Sequence, residues 1–149
     1  MRAVAALCVV AAAALVGAGS GSAATCTPTQ NFGGGPDRSP PLRAKIGTGH
    51  VLMGVVLSPS CKPIAGARVS FWQSNAQGIY KPSGSGAVVT SRSGRFRFEG
   101  PRPTGYGGQA GHIHIKVEAA GYVTLFTEYF PPARARSGSI RLVLAPDDL

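Results

Sequence analysis

The stretch Gly111-His112-Ile113-His114-Ile115-Lys116-Val117-Glu118 decides the fold class. Polar and β-branched apolar residues alternate without a break, which is the period of a strand with one buried face. Ile113, Ile115 and Val117 are expected to face a core, and His112, His114 and Lys116 to share the opposite face. Two imidazoles at i and i+2 on a rigid strand can converge on one ion. They can equally be the polar side of a half-buried strand, so the pair alone decides nothing about chemistry.

Working outward, short β-rich runs separated by Gly, Pro, Ser and Asn turns fill the chain on both sides. His50–Leu57, Ala67–Ser74, Ala87–Ser91, Arg95–Glu99, His112–Glu118, Tyr122–Phe130 and Ser139–Leu144 are seven strand candidates. Ser93-Gly94 marks a hairpin between the third and fourth. No segment shows a helical period. The pattern predicts an all-β fold, a single antiparallel β-sandwich over residues 50–149, with antiparallel pairing expected because no helix is available for crossovers.

Before His50 the chain changes character. Arg2 precedes an uncharged apolar run from Ala3 to Val16, then small residues ending Ser22-Ala23-Ala24. This is the plan of a secretory signal, residues 1–24, with an apolar run shorter than the roughly 20 residues needed to span a bilayer. The expected product is a secreted protein, extracellular or wall-associated, with no membrane segment left after cleavage. Residues 25–49 are rich in Gly, Pro and Ser without apolar periodicity and are read as an extended N-terminal arm. Cys8 leaves with the signal, so Cys26 and Cys61 remain as an even pair in an oxidising compartment and are expected to form a disulfide.

The formal net charge is +9. The basic residues are spread along the chain rather than gathered with aromatic rings, which argues against nucleic acid as partner. Weak attraction to anionic wall polymer or to a carboxylated small molecule is compatible with the charge.

Two further features bear on chemistry. Phe71-Trp72-Gln73 runs into the turn Asn75-Ala76-Gln77-Gly78 and at once to Ile79-Tyr80, and Pro101-Arg102-Pro103-Thr104-Gly105-Tyr106 places a tyrosine on a loop shortly before the histidine strand. Each tyrosine alone reads as a packing residue. In order along the chain, however, Gly54-Val55-Val56, Cys61 to Ala67, Trp72-Gln73 to Tyr80, Gly94-Arg95-Phe96-Arg97-Phe98, Tyr106, His112-Ile113-His114 and Leu125 to Phe130 resemble the intradiol ring-cleavage dioxygenases, the catechol and protocatechuate enzymes, over roughly Leu52 to Phe130.

The resemblance implies a mononuclear iron(III), Fe(3+), held by Tyr80, Tyr106, His112 and His114. Phenolates are hard anionic donors that suit this ion. It implies a small catechol substrate and O2, with ring opening between the two hydroxylated carbons to a muconate-type diacid, and Tyr106 as the phenolate that the substrate displaces. Gln109 stands where the family usually has an arginine that supports the activated substrate; a neutral amide donates a hydrogen bond but supplies no fixed charge. Arg102 is a candidate to supply it from the loop, and Glu128 stands where glutamine is common. Two other outcomes stay open: a non-catalytic secreted module that binds wall, carbohydrate or a protein partner around a structural metal site, and zinc or copper in the same ligands. His50 is read as an ordinary polar residue at a strand start.

Overall fold

The computed structural model describes residues 22–33 and 38–148. Apart from its last three residues, the expected signal segment lies outside the described residues. Among the described residues, seven strands occur where seven were expected: β1 (His50–Leu57), β2 (Arg68–Trp72), β3 (Ser85–Val89), β4 (Arg95–Gly100), β5 (Ile113–Glu118), β6 (Leu125–Tyr129) and β7 (Ser137–Val143). One turn of 3-10 helix at Pro82–Gly84 interrupts the approach to β3.

The strands form two sheets, β4-β1-β7 and β3-β2-β5-β6. Their inner faces meet in one core that includes Leu52, Val56, Phe71, Phe98, Ile115 and Leu142. Phe71 stacks on Phe98 across the sandwich, with ring centroids 4.3 Å apart. Ile113, Ile115 and Val117 all face this core, as the alternation requires. Gly54 lacks the side chain that would collide with the Phe96 ring, where a Cβ would come within 2.2 Å of it.

One pairing departs from the expected antiparallel sandwich: β7 runs parallel to β1, with Val51 opposite Ser137 and Leu57 opposite Val143. No helix is needed for this. β6 lies in the other sheet, and the Phe130–Arg136 connection carries the chain across the end of the sandwich before β7 enters beside β1. The remaining pairs are antiparallel.

The described parts of the arm are held by contact with the sandwich, the first of the two readings its composition left open, an arm ordered by contact or a loose leader. Cys26 is bonded to Cys61, their Cα atoms 5.2 Å apart, and the Cys26 amide donates to the Pro59 carbonyl. Thr29 then pairs with β7 through Val143, and Phe32 with β6 through Phe126. Leu42 bridges Ala87, and Lys45 bridges Glu99.

His50 is not the ordinary polar residue that its place at a strand start suggested. It is 2% exposed, and its ring joins the two sheets. Nδ1 lies 3.0 Å from the Ala135 carbonyl, which can only accept, so Nδ1 carries the proton and Nε2 accepts from the Tyr129 hydroxyl at 3.0 Å. Gly138 makes room for that hydroxyl; a Cβ there would sit 1.8 Å from the Tyr129 oxygen. Tyr129→Phe would leave His50 Nε2 buried without its donor. The expected cost is about 1–3 kcal/mol, read as a lower midpoint in denaturant unfolding with an unchanged slope.

Candidate metal centre

The outward face of β5 is where the sequence placed two histidines, and strand register decides what surrounds them. His114 is opposite Trp72 on β2 and opposite Glu128 on β6. The Trp72 indole stacks on its ring at 5.5 Å and 10°, and Glu128 Oε1 lies 3.4 Å from its Nδ1. A carboxylate beside Nδ1 favours the tautomer protonated there, which leaves the Nε2 lone pair pointing outward. His112, just before β5, is fixed in the same sense: its Nδ1 donates to the Ala110 carbonyl at 2.8 Å. Partners of this kind orient metal-binding imidazoles.

Both Nε2 atoms then face one point, 3.2 Å apart. The two tyrosines close on the same point. Tyr80 Oη is 2.9 Å from His114 Nε2 and 3.0 Å from Tyr106 Oη. With His114 Nε2 unprotonated, Tyr80 donates to it and Tyr106 donates to Tyr80. His112 Nε2 is left facing another lone pair, with the Glu128 carboxylate 3.9 Å away. Four donor atoms and a nearby anion thus share fewer protons than they have lone pairs. That surplus of negative potential suits a cation, and two phenols with two imidazoles suit a hard trivalent one. The residues therefore fit the ion that the resemblance implies.

The electrostatic environment agrees. Burial, and next the neighbouring Tyr106 hydroxyl, push the Tyr80 phenol up to about 12. Burial, and next the adjacent His112, hold His114 below the ordinary imidazole value against the pull of Glu128. His114 is therefore a neutral ligand at neutral pH, while Tyr80 needs a cation in place of its proton to ionise there.

Local sequence explains how Tyr106 reaches the cluster. Gly107 and Gly108 both adopt left-handed backbone, with φ of 57° and 80°, and the Gln109 amide donates back to the Tyr106 carbonyl at 2.9 Å. Gly78, also left-handed, leaves the space in which the Tyr106 ring rests; a Cβ there would lie 2.6 Å from Cδ2.

The family model Dioxygenase_C, described as Dioxygenase, matches residues 35–134. The hydroxyquinol 1,2-dioxygenase of Rhizobium sp. is 29% identical over 113 residues, 58% of this chain and 38% of that protein. The chain belongs to the intradiol ring-cleavage dioxygenase family. Catechol 1,2-dioxygenase 1 of Acinetobacter lwoffii is 39% identical over a shorter match, 38% of this chain and 22% of its own length. The matches thus span about a fifth to two fifths of the curated relatives. Among solved structures, the dioxygenase domain of a dioxygenase carbohydrate-binding protein fusion from Streptomyces sp. SirexAA-E has the same fold, with a TM-score of 0.70 at 24% identity, covering 81% of this chain and 100% of that one. An intradiol ring-cleavage dioxygenase from Tetranychus urticae gives 0.68 at 21%, covering 81% and 96%.

Seen as an intradiol-family chain, the protein differs from expectation in its charges. Gln109 is brought to the site's loop, but its side chain is exposed. Arg102 is engaged elsewhere; its guanidinium donates to the Ala135 and Pro132 carbonyls of the connection between β6 and β7. The cation that does stand against the cluster is Arg38, from the arm, with its guanidinium carbon 5.5 Å from the Tyr80 ring centre. Its Nε is buried with no hydrogen-bond partner among the described residues. Nothing in the composition of the arm singled out Arg38, since its place depends on the arm folding back across the sheet. Glu128 was legible only as a departure from the family, although its spacing opposite His114 follows once β5 and β6 are paired.

In the metal-free protein, one phenol is expected to titrate near pH 12 by near-ultraviolet absorbance, and to vanish from the titration in Tyr80→Phe. The unfolded chain ionises this group at about 10, so its contribution to stability is complete below pH 10 and is lost as pH rises toward 12.

Proposed function

We propose that this protein is an exported iron(III) intradiol dioxygenase that opens a catechol-type ring with O2, between the two hydroxylated carbons, to a muconate-type diacid. The observation that carries this is the convergence of Tyr80 Oη, Tyr106 Oη, His112 Nε2 and His114 Nε2, linked through contacts of 2.9–3.2 Å. Export is supported by the leader-like first 24 residues and by the Cys26–Cys61 bond, which suits an oxidising compartment.

The four side chains would hold the ion, with Glu128 and the Ala110 carbonyl keeping the imidazoles turned toward it. Bound there, iron(III) supplies a Lewis acid and template on which a catecholate is activated toward O2. The residues do the rest. Tyr106 sits on the glycine-flanked loop and is the phenol best placed to give way to the substrate and to take up one of its protons. Tyr80, clasped between Tyr106, His114 and Arg38, is the phenol that stays. Phe130 lies 5.2 Å from the His112 ring, centroid to centroid, and is 53% exposed, so it offers an apolar edge for a flat substrate ring. Arg38 supplies the fixed positive charge that favours both the Tyr80 phenolate and an arriving dianion.

Iron-loaded protein is expected to be coloured by phenolate-to-iron charge transfer, and to take up O2 with catechol, protocatechuate or hydroxyquinol. Tyr80→Phe and Tyr106→Phe should each weaken and shift the visible band. A colourless iron-loaded protein that consumes none of these substrates would remove the proposal.

Glu128→Ala separates the orienting role from ligation. It is expected to lower iron affinity about 10–100-fold while the visible band survives at saturating iron. Arg38→Met should move the pH midpoint of iron uptake upward, because the phenolate loses a neighbouring cation.

A further inference from the structure

The metal centre occupies the outer face of the four-stranded sheet. The outer face of the other sheet is open among the described residues, and it is built differently. Leu52 and Val56 of β1, Phe96 and Phe98 of β4 and Leu142 of β7 all point into the core. Alternation therefore turns Val51, Met53 and Val55 outward. Register sets these beside Glu99, Arg97 and Arg95 on one flank and beside Ser137, Ser139 and Arg141 on the other.

Two grooves lie along this face. One, of about 790 Å³, is lined by residues that include Met53, Val55, Arg95, Arg97, Ser139 and Arg141. The other, of about 580 Å³, lies beyond Val51 and is lined in part by Arg102, Arg134 and Arg136. They adjoin along β1, since Val51 lines the second and Met53 the first. The result is a strip with an apolar centre and arginine margins, about 13 Å long from Val51 to Val55 at the usual strand rise and extended further by the 134–136 loop.

The charges on the strip are largely uncompensated. Glu99 is its acidic residue, and its two oxygens are already taken by Lys45 at 3.2 Å and Arg97 at 2.9 Å. The side chains of Arg95, Arg134 and Arg136 make no ion pair or hydrogen bond with other described residues. Met53 is 46% exposed in the middle.

We propose that this strip docks an extended carboxylate-bearing polysaccharide. Guanidinium groups bind carboxylates through paired N–H donors, the serines can bond sugar hydroxyls, and Met53 with Val55 offers an apolar floor to the C–H faces of sugar rings. A single-stranded nucleic acid is the poorer fit, because its binding surfaces carry stacking aromatics and no exposed aromatic side chain stands on this strip among the described residues. A neutral polysaccharide would leave the arginines without a purpose. The metal centre lies on the opposite face of a sandwich whose sheets are about 10 Å apart, so polymer and a small aromatic molecule do not compete.

The test is binding of the intact chain to polygalacturonate, measured by calorimetry, with dextran and a single-stranded oligodeoxynucleotide as alternatives. Saturable binding that weakens as salt rises, with none to dextran, is expected. The double variant R95S/R136S should lose about tenfold in affinity, given up to about fivefold for each exposed ion pair removed, at an unchanged thermal midpoint. R134S, on the connecting loop, provides a second reading should the double variant fold poorly, with a loss of up to about fivefold. Unchanged affinity in a folded variant, equal binding to dextran, or tighter binding to the oligonucleotide than to polygalacturonate would each overturn the proposal.

Discussion

Two imidazole nitrogens face each other across 3.2 Å, and each has its other nitrogen committed to an acceptor. That constraint organises the outer face of the larger sheet. Lone pairs held this close repel unless a proton or a cation lies between them. The phenol of Tyr80 relieves one of them, and Tyr106 relieves Tyr80 in turn, but no proton remains for His112. The structure maintains the arrangement because every member is pinned from outside: His112 by Ala110, His114 between Trp72 and Glu128, and Tyr106 against the gap at Gly78. A set of lone pairs held this firmly is preorganised for an ion, and binding then costs little rearrangement of the protein.

Strand pairing is what makes the pinning possible. Trp72 and Glu128 are 42 and 14 residues from His114 in sequence, a separation that periodicity cannot bridge. Once β5 is central, flanked by β2 and β6, one residue from each neighbour must stand beside His114 on the same face. The alternation that made Ile113 to Val117 readable as a strand therefore also determines the histidine environment, but only through register, which a single sequence does not display.

The same distinction separates what was legible from what was not. All seven strands could be read locally, because turn residues and alternating patterns are local signals. The Cys26–Cys61 pair could be read by counting. The parallel pairing of β7 with β1 could not, since it follows from β6 belonging to the other sheet. His50 looked like a polar strand start, yet it is buried because Tyr129 offers it a hydroxyl and Gly138 leaves space for the bond. Lys116, expected on a polar face, is 2% exposed: the arm lies over it, with Ser39 Oγ 3.5 Å from its Nζ, and Glu118 3.2 Å away balances its charge. Arg38 owes its place to the same arm. Residues whose surroundings come from a remote segment carry no local mark of it.

The arm therefore does more than close an edge. Anchored at Cys26, it pairs with β7 and with β6, and after residues 34–37 it continues to Arg38 over Tyr80 and to Leu42 beside β3. Arg68, which donates to the Pro40 carbonyl, and Arg43, which donates to the Ser85 carbonyl at 2.6 Å, fasten the segment immediately after Arg38. The positive charge against Tyr80 is thus held by the anchorage of the stretch that follows it, since its buried Nε has no hydrogen-bond partner among the described residues. The described stretches of the arm are each fastened to the sandwich, the first through Cys61 and β7 and the second through β3.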